Sequence, residues 1–196
     1  MRSFVFGLAG IAAALTFAQP AAAQFWVDPS YQQPMEYLDG YGPAETRAQQ
    51  SPIQRQVVEF STRYAPGTIV ISTEARRLYL VTGRGEAIEY GVGVGRPGFA
   101  WNGTKTITRK AEWPSWTPPA EMLKRRPDLP RYMSGGEDNP LGARAMYLGG
   151  SLYRIHGSNE PDTIGQAVSS GCIRMTNEDV MDLYGRVRVG TKVVVM

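Results

Sequence analysis

The chain has 196 residues, with 21 Lys and Arg against 18 Asp and Glu for a formal charge of +3, one histidine and one cysteine. One cysteine excludes an internal disulfide framework, and one His with one Cys leaves too few strong ligands for a zinc site, so neither a metal nor a cofactor is expected. Nucleic acid is a poor match too, because the arginines are scattered and no recognition helix or aromatic platform accompanies them.

The first segment reads as a signal peptide. Arg2 supplies a positive start, Phe4 to Phe17 is an apolar run, and Ala21-Ala22-Ala23 ends it as a small-residue cleavage site, so residues 1–23 are expected to be removed. Beyond Ala23 no apolar stretch approaches the ~20 residues that cross a bilayer, and no transmembrane segment is expected after signal removal. Residues 24–65 read as a leader. Positions 24–60 carry five acids against two bases and are rich in Gln, Pro and Tyr without a sustained period, which suits a flexible tether or a short clamp. Residues 61–196 carry thirteen acids against eighteen bases, a charge that suits an anionic polymer.

A domain over 66–196 then reads mainly as strand. Thr68 to Ser72 and Leu78 to Thr82 are β-branched and aromatic runs joined by a polar turn, the pattern of a hairpin. Gly83-Arg84-Gly85 turns the chain into Ala87 to Val94, and Trp101 to Glu112 makes another long strand. Gly91-Val92-Gly93-Val94-Gly95 resembles part of a phosphate loop, yet it lacks the following lysine and helix, and it reads as a strand end with close backbone approach. Pro119 to Arg126 suits a short helix begun by proline, and 127–145 is a long irregular stretch of the kind that is functional or pinned by its prolines.

The C-terminal third carries the chemistry. Ala145 to Leu148 and Leu152 to His156 read as strands around Gly149-Gly150, which puts His156 where a strand emerges into a loop. Asp162 to Val168 suits a helical turn leading to Ser169-Ser170-Gly171-Cys172. Asn177 is placed to cap a helix with Glu178 and Asp179 in its first turn and Val180, Leu183, Tyr184 and Val187 on one face, before a closing strand from Lys192 to Met196. A lone thiol can be a small buried hydrophobe. In an exported protein with polar neighbours it is better read as reactive, with His156 as the base that makes it a nucleophile. His156 could also serve Ser169 or Ser170, but cysteine is intrinsically the stronger nucleophile.

The IHG motif at 155–157, the SSGCIRM motif at 169–175, the acidic helix with LY and the final GTKVVV together resemble the L,D-transpeptidase catalytic domain family, also called the YkuD domain. The resemblance continues through PGTIVIS, RLYLV, YGVGVGR and NPLGARAMYLG, and so covers 66–196. It implies a mainly β, sandwich-like fold with short helices and a lid loop, holding the cysteine and histidine at one edge. It implies a periplasmic peptidoglycan enzyme in which Cys172 is the nucleophile and His156 the base, oriented by a backbone carbonyl near Gly157. Cys172 would form a thioester with the third residue of a tetrapeptide stem, release D-alanine, and pass the acyl group to an amine on another stem or on an outer-membrane protein. The N–H groups of Gly171 and Cys172 would hold the oxyanion, each contributing ~3 kcal/mol. Two departures are visible: Ser170 stands where the family commonly has histidine, and Arg174 where other members carry asparagine. Arg174 could bind a stem carboxylate or pair with Glu178, and Tyr153, Trp113 and Trp116 could line a groove or pack in the core. A hydrolase acting on the same thioester and a non-catalytic wall-binding module remain as alternatives.

Overall fold

The computed structural model describes residues 51–196; the expected signal peptide and the leader up to residue 50 lie outside the described residues. In chain order the elements are β1 (Gln56–Glu59), β2 (Ile69–Ser72), β3 (Arg77–Gly83), β4 (Glu86–Gly91), β5 (Val94–Gly95), β6 (Gly103–Glu112), α1 (Ala120–Arg125), β7 (Arg144–Leu148), β8 (Arg154–His156), a 3-10 turn (Pro161–Thr163), β9 (Ala167–Ser169), β10 (Ile173–Arg174), α2 (Asn177–Arg186) and β11 (Lys192–Val195). The fold is mainly β with short helices, as the sequence reading expects. Among the described residues no helix is long and apolar enough to cross a membrane.

The strands run in the order β1-β4-β3-β2-β11-β6-β7-β8-β10, with β5 and β9 forming a separate pair. The expected hairpin is β2–β3, in register from Ile69 opposite Leu80 to Ser72 opposite Arg77. Its turn needs a left-handed residue, and Arg76 supplies it at φ 55°. Ile69, Val70 and Ile71 are all buried, since β2 lies between β3 and the parallel β11.

Strand β6 is the corner. Gly103 to Thr106 pair with β11, whereas Ile107 to Glu112 pair with β7, and the register slips by one residue between Ile107 and Arg109. A one-residue bulge bends a strand and increases its twist, which lets one chain segment belong to both halves of the sheet. Ile71, Leu78 and Tyr90 from one half and Met146, Leu148, Ile155 and Ile173 from the other share one core with Val180 and Leu183 of α2. Each such side chain contributes roughly 1.5–3 kcal/mol on burial.

Three local expectations need correction, and the leader gains a fixed part. Within residues 51–65, read as tether or clamp, β1 pairs antiparallel with β4, and Arg55 lies 3.5 Å from both Asp179 and Asp182 and 3.9 Å from Glu178. Gly91 makes room for this, because a Cβ there would sit 2.6 Å from Ile53. Leu152 is not strand but 65% exposed, and β8 begins at Arg154. The stretch 162–168 is helical only at Pro161–Thr163, after which Gly165 at φ 84° turns the chain into β9. The cap of α2 is Thr176, whose hydroxyl accepts the Asp179 N–H at 3.2 Å; Asn177 is the first helical residue and faces elsewhere.

Candidate active site

Strands β8 and β10 run parallel with Ile155 opposite Ile173 and His156 opposite Arg174. Both isoleucines are fully in the core. Alternation therefore places Arg154, His156 and Arg174, with Cys172 just before β10, on the other face. The sixteen-residue separation of histidine and cysteine is closed by this pairing.

His156 is only 4% exposed. Its Nδ1 lies 2.5 Å from the Gly157 carbonyl. A carbonyl can only accept, so Nδ1 carries the proton and Nε2 keeps its lone pair. Burial pushes the imidazole down to about 3; the Gly157 contact opposes this, and the guanidinium groups of Arg174 and Arg154 add to it. The ring is a neutral acceptor throughout the physiological range.

Cys172 is half-buried, with Sγ 3.7 Å from the Leu152 carbonyl. Burial pushes its thiol up, while Arg154, through its charge and its hydrogen-bonding groups, and then Arg174 pull it down. Arg154 is thus a neighbour of both chemical groups, and sequence reasoning missed it. The signal was the i, i+2 spacing from His156 on a strand. Its Nε is buried without a hydrogen-bond partner among the described residues.

The loop that supplies the Gly157 carbonyl is held by a residue the sequence offered only as a cap. Asn177 Oδ1 accepts the Ala143 N–H at 2.8 Å. It lies so close to Gly142 and Gly157 that a Cβ at either position would collide with it. Gly142 also has φ 60°, so only glycine suits that place on both counts.

The turn that carries the thiol is built differently. Ser169 donates its hydroxyl to the Cys172 carbonyl at 2.6 Å and accepts the Gly171 N–H at 3.1 Å. Of the two amides expected to receive an oxyanion, that of Gly171 is therefore turned to Ser169. The Cys172 N–H takes no partner among the described residues. Gly171 has φ 103°, and a Cβ there would meet the Tyr153 ring at 2.6 Å. Tyr153 stacks on Trp101 at 4.6 Å, and the Trp101 indole N–H donates to the Gly171 carbonyl at 2.8 Å. Tyr153 thus touches the nucleophile turn itself, while Trp116 is in the core and Trp113 is 42% exposed.

Arg174 pairs with Glu160 at 2.7 Å rather than with Glu178, because β10 points it across the sheet edge toward the 160–163 turn; Glu178 lies beside Arg55 instead. Ser170 stands 3.5 Å from the Arg96 guanidinium. The irregular stretch after α1 meets the loop that follows His156, where Asn159 donates to the Asp138 carbonyl at 3.0 Å, and from α1 itself the Arg125 guanidinium lies over the Phe99 ring. The close approach read from Gly91 to Gly95 is present: a Cβ at Gly93 would sit 2.8 Å from the Thr163 carbonyl oxygen, and one at Gly95 2.7 Å from that of Phe99.

The family model described as the L,D-transpeptidase catalytic domain, YkuD, matches residues 66–195. The probable L,D-transpeptidase ErfK/SrfK of Escherichia coli K12 is 40% identical over 132 residues, covering 64% of this chain and 42% of that protein. The putative L,D-transpeptidase YkuD of Bacillus subtilis is 50% identical over 78 residues, covering 38% and 48%. The chain thus spans less than half the length of these curated relatives. Among solved structures, one from Brucella melitensis described as a probable carnitine operon oxidoreductase caia is 48% identical, covers 75% of this chain and 96% of that one, and superposes with a TM-score of 0.51. L,D-transpeptidase 3 of Mycobacterium tuberculosis shares the fold at 18% identity, with a TM-score of 0.53 and coverage of 66% and 60%. With the matched region spanning both motif-bearing strands and the sheet that supports them, the chain belongs to the L,D-transpeptidase catalytic domain family.

Proposed function

We propose that the domain is a peptidoglycan L,D-transpeptidase working in the periplasm after removal of residues 1–23, with Cys172 as nucleophile and His156 as base. The observation that carries this is a buried imidazole whose Nδ1 is committed to the Gly157 carbonyl, leaving Nε2 as the acceptor, on the same sheet face as the chain's only thiol. The Cys172 proton passes to His156 Nε2, and the thiolate attacks the carbonyl of the third residue of a tetrapeptide stem. Arg154 favours the thiolate, and the Cys172 N–H is available for the oxyanion. The carbon–nitrogen bond then breaks, His156 returns the proton to the departing D-alanine amine, and a thioester remains. An amine from a second stem or an outer-membrane protein attacks it, gives its proton to His156, and restores the free thiol as the new amide forms.

Incubation with a disaccharide-tetrapeptide, with products resolved by mass, tests the assignment. Cross-linked dimers are expected from the wild type and none from Cys172→Ala; a carbapenem should add its mass to the former only. A tripeptide without dimers would replace the transferase with a hydrolase, and full cross-linking by Cys172→Ala would overturn the mechanism.

A further inference from the structure

Beside the nucleophile turn lies a pair of cations that the acyl-transfer chemistry leaves unused. Arg96 follows β5, and its N–H donates to the Ser169 carbonyl at 3.0 Å, so its main chain is fixed to the turn that ends in Cys172. Its guanidinium lies 4.2 Å from the Phe99 ring centroid and 3.5 Å from the Ser170 hydroxyl. Arg125, the last residue of α1, places its guanidinium 5.4 Å from the same centroid. Phe99 is part of the same corner, because its carbonyl oxygen sits 3.1 Å from where a Gly171 Cβ would be.

These two arginines differ from their neighbours. Lys124 is paired with Glu121 and Arg126 with Asp128, whereas neither Arg96 nor Arg125 has a carboxylate partner among the described residues. Two guanidinium groups over one ring repel each other at a range where salt screens them only in part. Each lies over the ring, which limits its freedom, and an anion bound beside them relieves the repulsion. A planar carboxylate matches a guanidinium fork with two hydrogen bonds.

We propose that Arg96 and Arg125, gathered over Phe99 beside Ser170, form a subsite for a carboxylate of the stem peptide that acylates Cys172. The proposal rests on the transpeptidase reading for its ligand. The subsite aligns the donor before attack, and Ser170, neutral and small, leaves the Arg96 charge uncompensated for that use. Two stem carboxylates are taken as the candidate sources: the one on the terminal D-alanine and the α-carboxylate of the second residue.

Binding is measured by calorimetry on the full chain carrying Cys172→Ala, so that no turnover intervenes. Disaccharide-tetrapeptide is compared with two analogues, one amidated at the terminal D-alanine and one at the second residue. Arg96→Gln with Arg125→Gln should weaken tetrapeptide binding about tenfold, the effect of one charge-assisted hydrogen bond. One of the two amides should bind the arginine-bearing chain about tenfold more weakly, and the double variant should show no further loss with that amide. Arg125→Glu, at an exposed helix end, gives a second route if the Arg96 change alters the fold, and should weaken binding at least as much as Arg125→Gln. Binding within twofold for all variants, equal binding of both amides and the acid, or no measurable tetrapeptide binding overturns the subsite. Cross-linking by the chain with its cysteine intact is assayed in parallel. Cross-linking with arginine-independent binding sinks the subsite alone, whereas arginine-dependent binding without cross-linking sinks the activity and keeps the subsite.

Discussion

The two halves of the catalytic pair are held by different means. His156 is enclosed, fixed by the main-chain carbonyl of the next residue, and backed by two glycines that fit against Asn177. Cys172 sits half-buried in a turn tied by side chains, with Ser169 bridging Gly171 and Cys172 and Trp101 holding the Gly171 carbonyl. A base needs one orientation through both proton transfers. A nucleophile must meet an incoming carbonyl, release it, and admit an amine, so it stands where substrate can reach it. The histidine side should therefore tolerate almost no change, while the cysteine side should lose rate in steps.

The largest break should come from His156→Gln, which removes the base and should lower thioester formation by roughly 10²–10⁴-fold in single-turnover assays. The same variant tests the burial of the ring. Unfolded histidine takes a proton below about 6.5, whereas the folded ring resists protonation down to about 3. Between those values the unfolded chain holds more protons, so stability should rise with pH across that window and be fully present above it. Urea titrations at several pH values should show this slope, and a slope unchanged in His156→Gln would remove the histidine as its cause.

Next is Gly157→Ala, whose methyl group has no space beside Asn177. It should cost about 1–3 kcal/mol of stability and lower kcat more than it raises KM, read from denaturation and steady-state rates. Ser169→Ala should cost a similar ~1–3 kcal/mol of stability from unmade hydrogen bonds and be milder on rate, with carbapenem acylation slowed but still complete by mass. Complete insensitivity of Gly157→Ala would erase the contrast between the two sides. Smallest is Arg55→Ala: Arg55 is partly exposed, and its buried partner Asp179, whose carboxyl burial already pushes up, can take a proton once the cation is gone, so stability should fall by about 1 kcal/mol and acylation stay unchanged.

What was legible in the sequence is what short-range chemistry decides. The β2–β3 hairpin, α2 and the strand ending in His156 follow from β-branched runs, a helical period and flanking glycines, all within a few residues. The partner choices were not legible, because they depend on segments brought together by the sheet. Arg174 finds Glu160 across the edge of β10 rather than Glu178 one helical turn away. Asn177 serves Ala143, from 34 residues earlier, in place of its own helix. The docking of β1 on β4 was hidden for the same reason: the 51–60 segment has no period of its own and becomes strand only against a template.

The corner strand β6 and its partner β11 have a kinetic consequence. β11 joins β2, more than a hundred residues earlier, to β6. Everything that carries chemistry hangs from the far side of that seam through β7 and β8. A seam between such distant segments closes slowly, since the chain must first surrender the entropy of a long loop. Until it closes, β8 and β10 have no supported sheet to extend, and thiol and imidazole have no fixed spacing. Folding therefore acts as the arming step: during refolding, competence for acylation should emerge with the closing of the central seam and not before it.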